Sequence, residues 1–277
     1  MKSLFRIGLF GFLFFTAPLS WGQFSVGDDF STLSGNWFNE SVTGTGAFNV
    51  SVGGSEVLSY LDNGQAGTGS STGSRDWQAN VGSYAANWQV QVDFTFNLTP
   101  VSGQMSSWSL VVGNLAESPV INDTMQGLFI LSPSGRIVSG IFNTNGVQNT
   151  SPYEPHQFFD ATNTITLKAT YLAATHTLSL YYDADGSGAG RGFDLVTSAP
   201  VDGTGLGWGM TDSDSFGFRL AAGNSAGGTT TSPLVANNMF ADNFAAASAI
   251  PEPSTYAAVL GTLALLATGW RRRQLKG

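Results

Sequence analysis

Residues 88–98, WQVQVDFTFNL, alternate between apolar and polar side chains from end to end. In an extended chain, successive side chains point to opposite faces, so this segment has one apolar face and one polar face. The apolar face carries Val90, Val92, Phe94, Phe96 and Leu98. The pattern predicts a β-strand with one side in a core and the other in water. Trp88 is in phase with the apolar face and is predicted to be a core residue.

The same alternation recurs in residues 165–171 and 178–182, which predict a β-hairpin. Shorter runs of β-branched and aromatic residues predict strands at 48–52, 56–61, 108–112, 128–131, 137–142, 216–222 and 239–244. The polar, glycine-rich stretches 63–73 and 223–232 are predicted to be loops. About ten short strands, each with one apolar face, predict an all-β fold, a jelly-roll sandwich of two antiparallel sheets.

Three stretches carry a family resemblance: Asp28-Asp29-Phe30 near the start, the hairpin, and Ala241-Asp242-Asn243-Phe244 near the end. Their order resembles that of the concanavalin A-like lectin and glucanase superfamily, and in particular of its laminin-G-like members. The resemblance implies that residues 23–247 form one β-sandwich. It also implies that the first and last strands pair in one sheet, with Phe30 and Phe244 in a shared core.

The N-terminus has the pattern of a secretory signal peptide. Lys2 and Arg6 precede an apolar run over residues 7–15, and Ser20 and Gly22 are small residues at the two positions that signal peptidase recognises. We expect residues 1–22 to be removed, with cleavage after Gly22; cleavage after Ser20 is the alternative. The apolar run is too short for a membrane-spanning helix.

The C-terminal residues 248–277 combine three features in a fixed order. Pro251, Glu252 and Pro253 form a rigid extended motif. Residues 256–270 predict one short hydrophobic helix, whose length of about 22 Å is less than the hydrocarbon thickness of a bilayer. Arg271, Arg272 and Arg273 follow it and are expected to stay in the cytoplasm, which leaves the rest of the chain on the other side of the membrane.

This tail resembles the PEP-CTERM sorting signal, which is recognised by an exosortase. The resemblance implies insertion in the inner membrane through the short transmembrane helix, processing near the Pro-Glu-Pro motif, and then a location at the cell surface or outside the cell. It also implies an association with exopolysaccharide production. The alternative is an ordinary single-pass anchor preceded by a chance Pro-Glu-Pro.

The body between the two targeting segments is strongly acidic. Removing Lys2, Arg6, Arg271, Arg272, Arg273, Lys276 and Glu252 from the 11 basic and 19 acidic residues leaves 5 basic and 18 acidic residues, a net charge of −13. Such a surface repels phosphates, so we expect no nucleic-acid partner, whereas neutral sugars and divalent cations remain open. With no cysteine in the chain, the fold depends on its core and not on disulfides.

A calcium site is conceivable at the turn DADGSG, where Asp183 and Asp185 place two carboxylates close together. Asp194 could add a ligand if the chain folds back. The favoured alternative is a plain tight turn without a cofactor, because Asp-Gly is common turn chemistry and no bidentate glutamate follows. The set Asp202, Asp212 and Asp214 has the same ambiguity with weaker spacing.

No catalytic motif stands out. A glucanase of the superfamily needs an E-x-D-x-x-E strand, which holds its two carboxylates about 5 Å apart. None of the body's glutamates is followed two residues later by an aspartate. Two G-x-S-x-G strings contain Ser71 and Ser225, but Ser71 lacks the preceding strand of a nucleophile elbow and Ser225 has no histidine after it in the chain. His156 and His176, the only histidines, are expected in loops.

Tryptophan rings offer a possible sugar-binding surface, since sugars stack on exposed aromatic rings. Trp77 and Trp208 lie among turn residues and are the candidates for exposure, although core packing is the alternative for both. Two interpretations follow. The first is a non-catalytic, carbohydrate-contacting or structural protein of an exopolysaccharide or biofilm matrix; the second is an enzyme acting on envelope or matrix glycans. A groove with aromatics and asparagines would favour the first, and one with a close carboxylate pair the second.

Overall fold

A computed structural model describes residues 26–28, 30, 37–50, 57–64, 69–77, 82–99, 101–115, 122–149, 156–158, 163–184, 192–202, 205–228 and 232–248. The predicted signal peptide and the predicted sorting signal with its helix lie outside these residues. Within the ranges given, the structure contains no helix of the length and apolar character needed to cross a membrane.

Among the described residues, one sheet has eight strands. They are β1 (Val26–Asp28), β3 (Gly46–Val50), β4 (Leu58–Asp62), β7 (Trp88–Phe96), β13 (Thr164–Leu172), β14 (Thr177–Asp183), β15 (Asp194–Pro200) and β17 (Met239–Ser248). Their order is β15-β14-β13-β7-β17-β4-β3, and β1 also pairs with β17. The predicted hairpin is confirmed as β13 and β14, whose connection contains a 3₁₀ turn at Ala173–Thr175.

The other sheet has nine strands in the described part of the chain. They are β2 (Trp37–Thr43), β5 (Ser70–Trp77), β6 (Gly82–Ser83), β8 (Gln104–Asn114), β9 (Thr124–Ser132), β10 (Gly135–Thr144), β11 (Val147–Gln148), β12 (His156–Phe158) and β16 (Ser215–Ala226). The main order is β11-β10-β9-β8-β16-β5-β2. All pairings in both sheets are antiparallel, and the predicted two-sheet sandwich is confirmed.

The core between the sheets is rich in aromatic rings. Phe94 of the eight-stranded sheet stacks on Trp108 of the nine-stranded sheet, with ring centroids 5.1 Å apart and planes 10° apart. The Trp88 ring centroid lies 5.1 Å from those of Phe216 and Phe218, with the ring planes inclined at 58° and 62°. Trp88 and Phe94 are fully buried, as the alternation predicts, but the expected exposure of the other face to water is wrong at Gln89, Asp93 and Thr95, which are also buried. Burying one large apolar side chain stabilises the fold by roughly 1.5–3 kcal/mol, so this layer dominates the stability of the sandwich.

The first and last strands are neighbours, as the family resemblance implies. Asp28 of β1 pairs with Phe244 of β17, and the ring of Trp37 meets Phe244 edge-on at 4.9 Å. Phe30 shares this core despite a left-handed backbone with φ 54°, a conformation that is unfavourable for an aromatic residue. The Asp28 carboxylate accepts hydrogen bonds from the Phe30 N–H at 2.8 Å and from Trp37 Nε1 at 3.0 Å. These two bonds hold the turn in place.

Both predicted loops are partly wrong. Residues 70–73 belong to β5, and β16 continues to Ala226. Glycine marks close packing at Gly73, not a turn. A Cβ atom there would lie 2.7 Å from Phe48 Cε2 and 2.9 Å from Tyr60 Cε2, so only glycine lets the two inner-face rings approach the strand.

We expect Gly73→Ala to lower the free energy of unfolding by about 1–3 kcal/mol, because the added methyl group overpacks a rigid part of the core. The measurement is urea unfolding followed by tryptophan fluorescence. Gly223→Ala on the adjacent strand is the matched control, because its Cβ would meet the Ser107 Oγ atom at 3.2 Å, and that hydroxyl can turn away. Equal losses in the two variants would contradict the packing explanation.

Candidate functional site

A groove crosses the outer face of the nine-stranded sheet, on the side away from the core. Its lining comes from five neighbouring strands, β2, β5, β16, β8 and β9, and its volume is about 330 Å³. Most of its lining residues are serine, threonine, glycine or alanine. Short side chains leave the backbone of the sheet close to the floor of the groove.

The centre of the groove is one row of directly paired residues. Ser41 pairs with Ser74, Ser74 with Ala221, Ala221 with Ser109, and Ser109 with Leu128. At the usual separation of neighbouring strands, this row is about 19 Å long. A parallel row beside it contains Thr72, Gly223 and Ser107, so hydroxyl groups recur across the strands.

The alternation of each strand explains the shallow floor. In β8, the large side chains of Trp108 and Leu110 point into the core, while Ser107 and Ser109 face outward. In β16, Phe218 and Leu220 point inward, and the outward positions on either side of them carry small side chains or Arg219. Because the bulk of each strand lies on the inner face, the outer face is left open.

Arg219 is the charged residue of the described lining, and it is paired. Its Nε donates to Asp76 Oδ1 at 2.6 Å and its Nη2 to Asp76 Oδ2 at 3.2 Å. The Arg219 side chain is 42% exposed and the Asp76 side chain 16%. Two parallel bonds fix the planar guanidinium at the rim of the groove and compensate its charge.

The β8–β9 part of the groove is more apolar. Val111 and Leu128 are half-buried there, and Gln126 Nε2 donates to Ser109 Oγ at 3.0 Å. Hydroxyl and amide groups therefore lie next to aliphatic carbon. Such a mixed surface can hydrogen-bond the hydroxyls of a sugar and contact its apolar C–H groups.

The groove matches neither of the two patterns expected from the sequence. Among its described lining residues there is no carboxylate pair, and there is no aromatic ring or asparagine. Hydroxyl-bearing residues on the outer face were not predicted, because small polar residues on a strand are also typical of a solvated surface. A row of outward-facing small residues on adjacent strands is the signal that could have indicated the groove.

The two tryptophans predicted to be exposed lie elsewhere. Trp77 ends β5 in register with Trp37, and its side chain lies outside the described residues. The expected exposure of Trp208 is wrong: the residue is 4% exposed and lies 6.4 Å from the ring of Phe216. The backbone N–H of Trp208 donates to Val201 O, and its carbonyl accepts from Asn114 Nδ2, which together fold this loop onto the core.

The possible calcium turn begins beside a buried lysine. Asp183 is 6% exposed at the end of β14, and Asp185 lies outside the described residues. Lys168 on the neighbouring strand is 2% exposed, and its Nζ atom lies 3.4 Å from the ring centroid of Phe193. Burial lowers the pKa of Lys168 to about 8, while the charge of Asp183 acts in the opposite direction. The charge of Asp183 therefore interacts with that of Lys168, a cation of the chain itself.

A polar cluster lies at the end of the sandwich where β13 and β14 are connected. His176 has φ 48° in that turn, as expected of a loop histidine, and its Nδ1 lies 2.9 Å from the Tyr171 hydroxyl. Tyr84 stacks on the His176 ring at 4.6 Å and donates to Asp202 Oδ2 at 2.8 Å. Burial is the main cause that raises the pKa of both tyrosines well above the ordinary range, so they remain neutral donors.

Two other candidate residues, Asp214 and Ser71, form hydrogen bonds within the fold. Asp214 accepts from the Thr211 N–H and hydroxyl within one turn. Ser71 is buried and accepts from Tyr60 at 3.0 Å. Within the described part of the chain, no group of three or more His, Cys, Asp or Glu residues is arranged to hold a metal ion. His156 begins β12, so its expected position in a loop is wrong, and its side chain is not among the described ones. The motif Pro251, Glu252 and Pro253 and the cluster Arg271, Arg272 and Arg273 also lie outside the described residues.

No family model and no curated protein matches the chain. Solved structures similar to it include a Bauhinia forficata lectin in complex with GalNAc, at 11% identity and TM-score 0.47, with 81% of this chain and 97% of that chain covered. Lectin II from Ulex europaeus is 12% identical with a TM-score of 0.47, and the match covers 82% of this chain and 100% of that chain. A family 7 alginate lyase is 8% identical with a TM-score of 0.44, and the match covers 73% of this chain and 83% of that chain. Likeness at this level transfers no ligand and no activity to this chain.

Lys168 is expected to make the stability of the protein depend on pH. Its pKa is about 8 in the folded chain and about 10.4 when unfolded, so the unfolded chain binds more protons between these values. The free energy of unfolding should therefore rise with pH in this window, by at most about 1.4 kcal/mol per pH unit. Lys168→Met should abolish the rise, as measured by urea unfolding between about pH 8 and 9.5.

Lys168→Arg is the control for this experiment. Arginine keeps its charge throughout the range, so this variant should also lack the rise while retaining a cation next to Asp183. Measurements stop below pH 10 because unfolded tyrosines ionise near that value and folded Tyr84 and Tyr171 do not, which lowers stability at higher pH. A slope in Lys168→Met as steep as in the parent protein would contradict the assignment.

Proposed function

We propose that this chain is an exported, non-catalytic protein that contacts carbohydrate through the groove on its nine-stranded sheet. The observation that carries the proposal is the composition of that groove, where serine and threonine hydroxyls of β2, β5 and β8 lie among alanine and glycine residues beside one compensated ion pair. A polysaccharide of the extracellular matrix is the ligand that this surface fits best.

The described lining suits the binding of a sugar chain in three ways. Ser74 and Ser109 can donate and accept hydrogen bonds, as the hydroxyl groups of a sugar require. Ala221 and Gly223 allow a flat ring to come close to the sheet. Asp76 and Arg219 are held in one geometry by their two mutual bonds, so this side of the groove has its shape before a ligand binds.

The second interpretation, a glycan-active enzyme, is less well supported. Glycoside hydrolysis uses two carboxyl groups on either side of the scissile bond. In the described lining the ionisable group is a guanidinium, which does not lose its proton in a protein. The alginate lyase among the similar structures has too low a TM-score to change this preference.

Export is proposed from the two ends of the chain. Residues 1–22 would be recognised by signal peptidase. The tail from Pro251 to Arg273 would be recognised by an exosortase and would insert in the inner membrane. The strand β17 ends at Ser248, so only two residues separate the sandwich from Pro251. Processing near this motif would release a body that retains its last strand.

Binding is tested with the purified full chain in mild detergent against a panel of polysaccharides. We expect Ala221→Met, which fills the centre of the groove, to weaken binding by at least about ten-fold, equivalent to about 1.4 kcal/mol. Ala174→Met, at an exposed position of the 3₁₀ turn, is the matched control and should bind as the parent protein does. Binding that survives Ala221→Met unchanged would exclude the groove as the site.

Sorting is tested by replacing Pro251, Glu252 and Pro253 with alanine in an exporting host that contains an exosortase. The expected product is full-length and stays in the membrane fraction, while the parent chain is shortened and leaves it. Gln274→Ala, beyond the arginine cluster, is the control and should be processed normally. Release of the triple variant at the normal rate would refute the sorting role of the motif.

A further inference from the structure

The charge of the groove indicates which polysaccharides it can accept. The body carries a net charge of −13 between the two targeting segments. A surface of this charge lowers the local concentration of polyanions and slows their approach. A polyanionic ligand would therefore need a strong local cation inside the groove.

The described basic residues of the body are all engaged. Arg75 bonds to Glu40, and Arg136 bonds to Asn163. Lys168 lies buried against Phe193. These three residues are outside the groove, which leaves Arg219 as the cation of its described lining.

Asp76 cancels most of the attraction that Arg219 would exert on an anion. Two unit charges at similar distances from a ligand anion contribute comparable energies, and Asp76 and Arg219 contribute with opposite signs. A ligand carboxylate would also have to compete with the two bonds that already join the pair. The hydroxyl group of a neutral sugar meets no such opposition.

The shape of the groove favours a chain over a single sugar. The central row from Ser41 to Leu128 crosses five strands and is about 19 Å long. It ends at β2, which is the last strand on that side among the described residues. A linear polymer can therefore lie across the strands and continue past the edge of the sheet.

We propose that the groove holds an internal segment of a neutral, linear polysaccharide, and that Asp76 excludes polyanions such as uronate polymers. This inference rests on the proposed carbohydrate-binding function and specifies its ligand class. The selectivity comes from the pairing of one carboxylate with the guanidinium of the groove.

The decisive variant is Asp76→Asn, which keeps the shape of the side chain and removes its charge. The probes are galactomannan, dextran and cellohexaose as neutral ligands, and alginate and polygalacturonate as uronate polymers, with the full chain in detergent. The parent protein should bind at least one neutral probe with an affinity independent of salt, and neither uronate polymer. Asp76→Asn should gain at least about ten-fold in affinity for a uronate polymer at low salt, and lose that gain at about 0.5 M salt.

Asp194→Asn is the control for net charge, because Asp194 is exposed on β15 in the other sheet. It makes the same change in total charge and should produce no gain. If Asp76→Asn does not fold, the preference of the parent protein between neutral and uronate probes still tests the neutral-ligand inference. Salt-sensitive binding of a uronate polymer by the parent protein would overturn the neutral-ligand inference and leave carbohydrate binding in place. Binding to none of the probes would overturn both proposals.

Discussion

The packing of aromatic rings between the two sheets is the interaction on which the rest of the structure depends. The chain has no cysteine, so the stack of Phe94 on Trp108 and the contacts of Trp88 with Phe218 join the sheets without covalent help. Large residues at the inward positions of β8 and β16 supply one half of this layer. The outward positions of the same strands are then free to be small, and the groove exists because they are.

Polar contacts link the sheets near the C-terminal end of β16. Tyr60 donates to Ser71, and Asn224 donates to Asp62 at 2.7 Å, in each case from one sheet to the other. Buried polar groups are stabilising only when their partners are in place, so these bonds favour one relative position of the sheets. Because Ser71 and Asn224 are directly paired in β5 and β16, the same bonds fix the strands that carry the middle of the groove.

The sequence predicts the fold better than the site. The period-2 pattern of residues 88–98 and the hairpin identified strands with strong apolar faces, and the resemblance placed Phe30 beside the last strand. The prediction of strands failed at β5, where serine and glycine give no hydrophobic signal. Glycine is needed at position 73 because Phe48 and Tyr60 of the other sheet pack against it. The groove was missed for the same reason: Ser41 and Ser109 become neighbours of one row only through strand pairing. Trp208 was misjudged because its backbone bonds to Val201 and Asn114 bury a residue that looks like part of a loop.

The small side chains that make the groove also limit what it can do. General acid–base catalysis needs an ionisable group within hydrogen-bond reach of the reacting atoms, with a pKa near the working pH. Serine and threonine hydroxyls and a paired guanidinium do not meet that requirement, but they suit the proposed contact with a sugar chain. Each contact of this kind is modest, since a hydrogen bond exchanged with water contributes only about 0.5–1.5 kcal/mol. A polymer with many equivalent segments compensates for weak single contacts, because a released segment is replaced at once by its neighbour on the same chain.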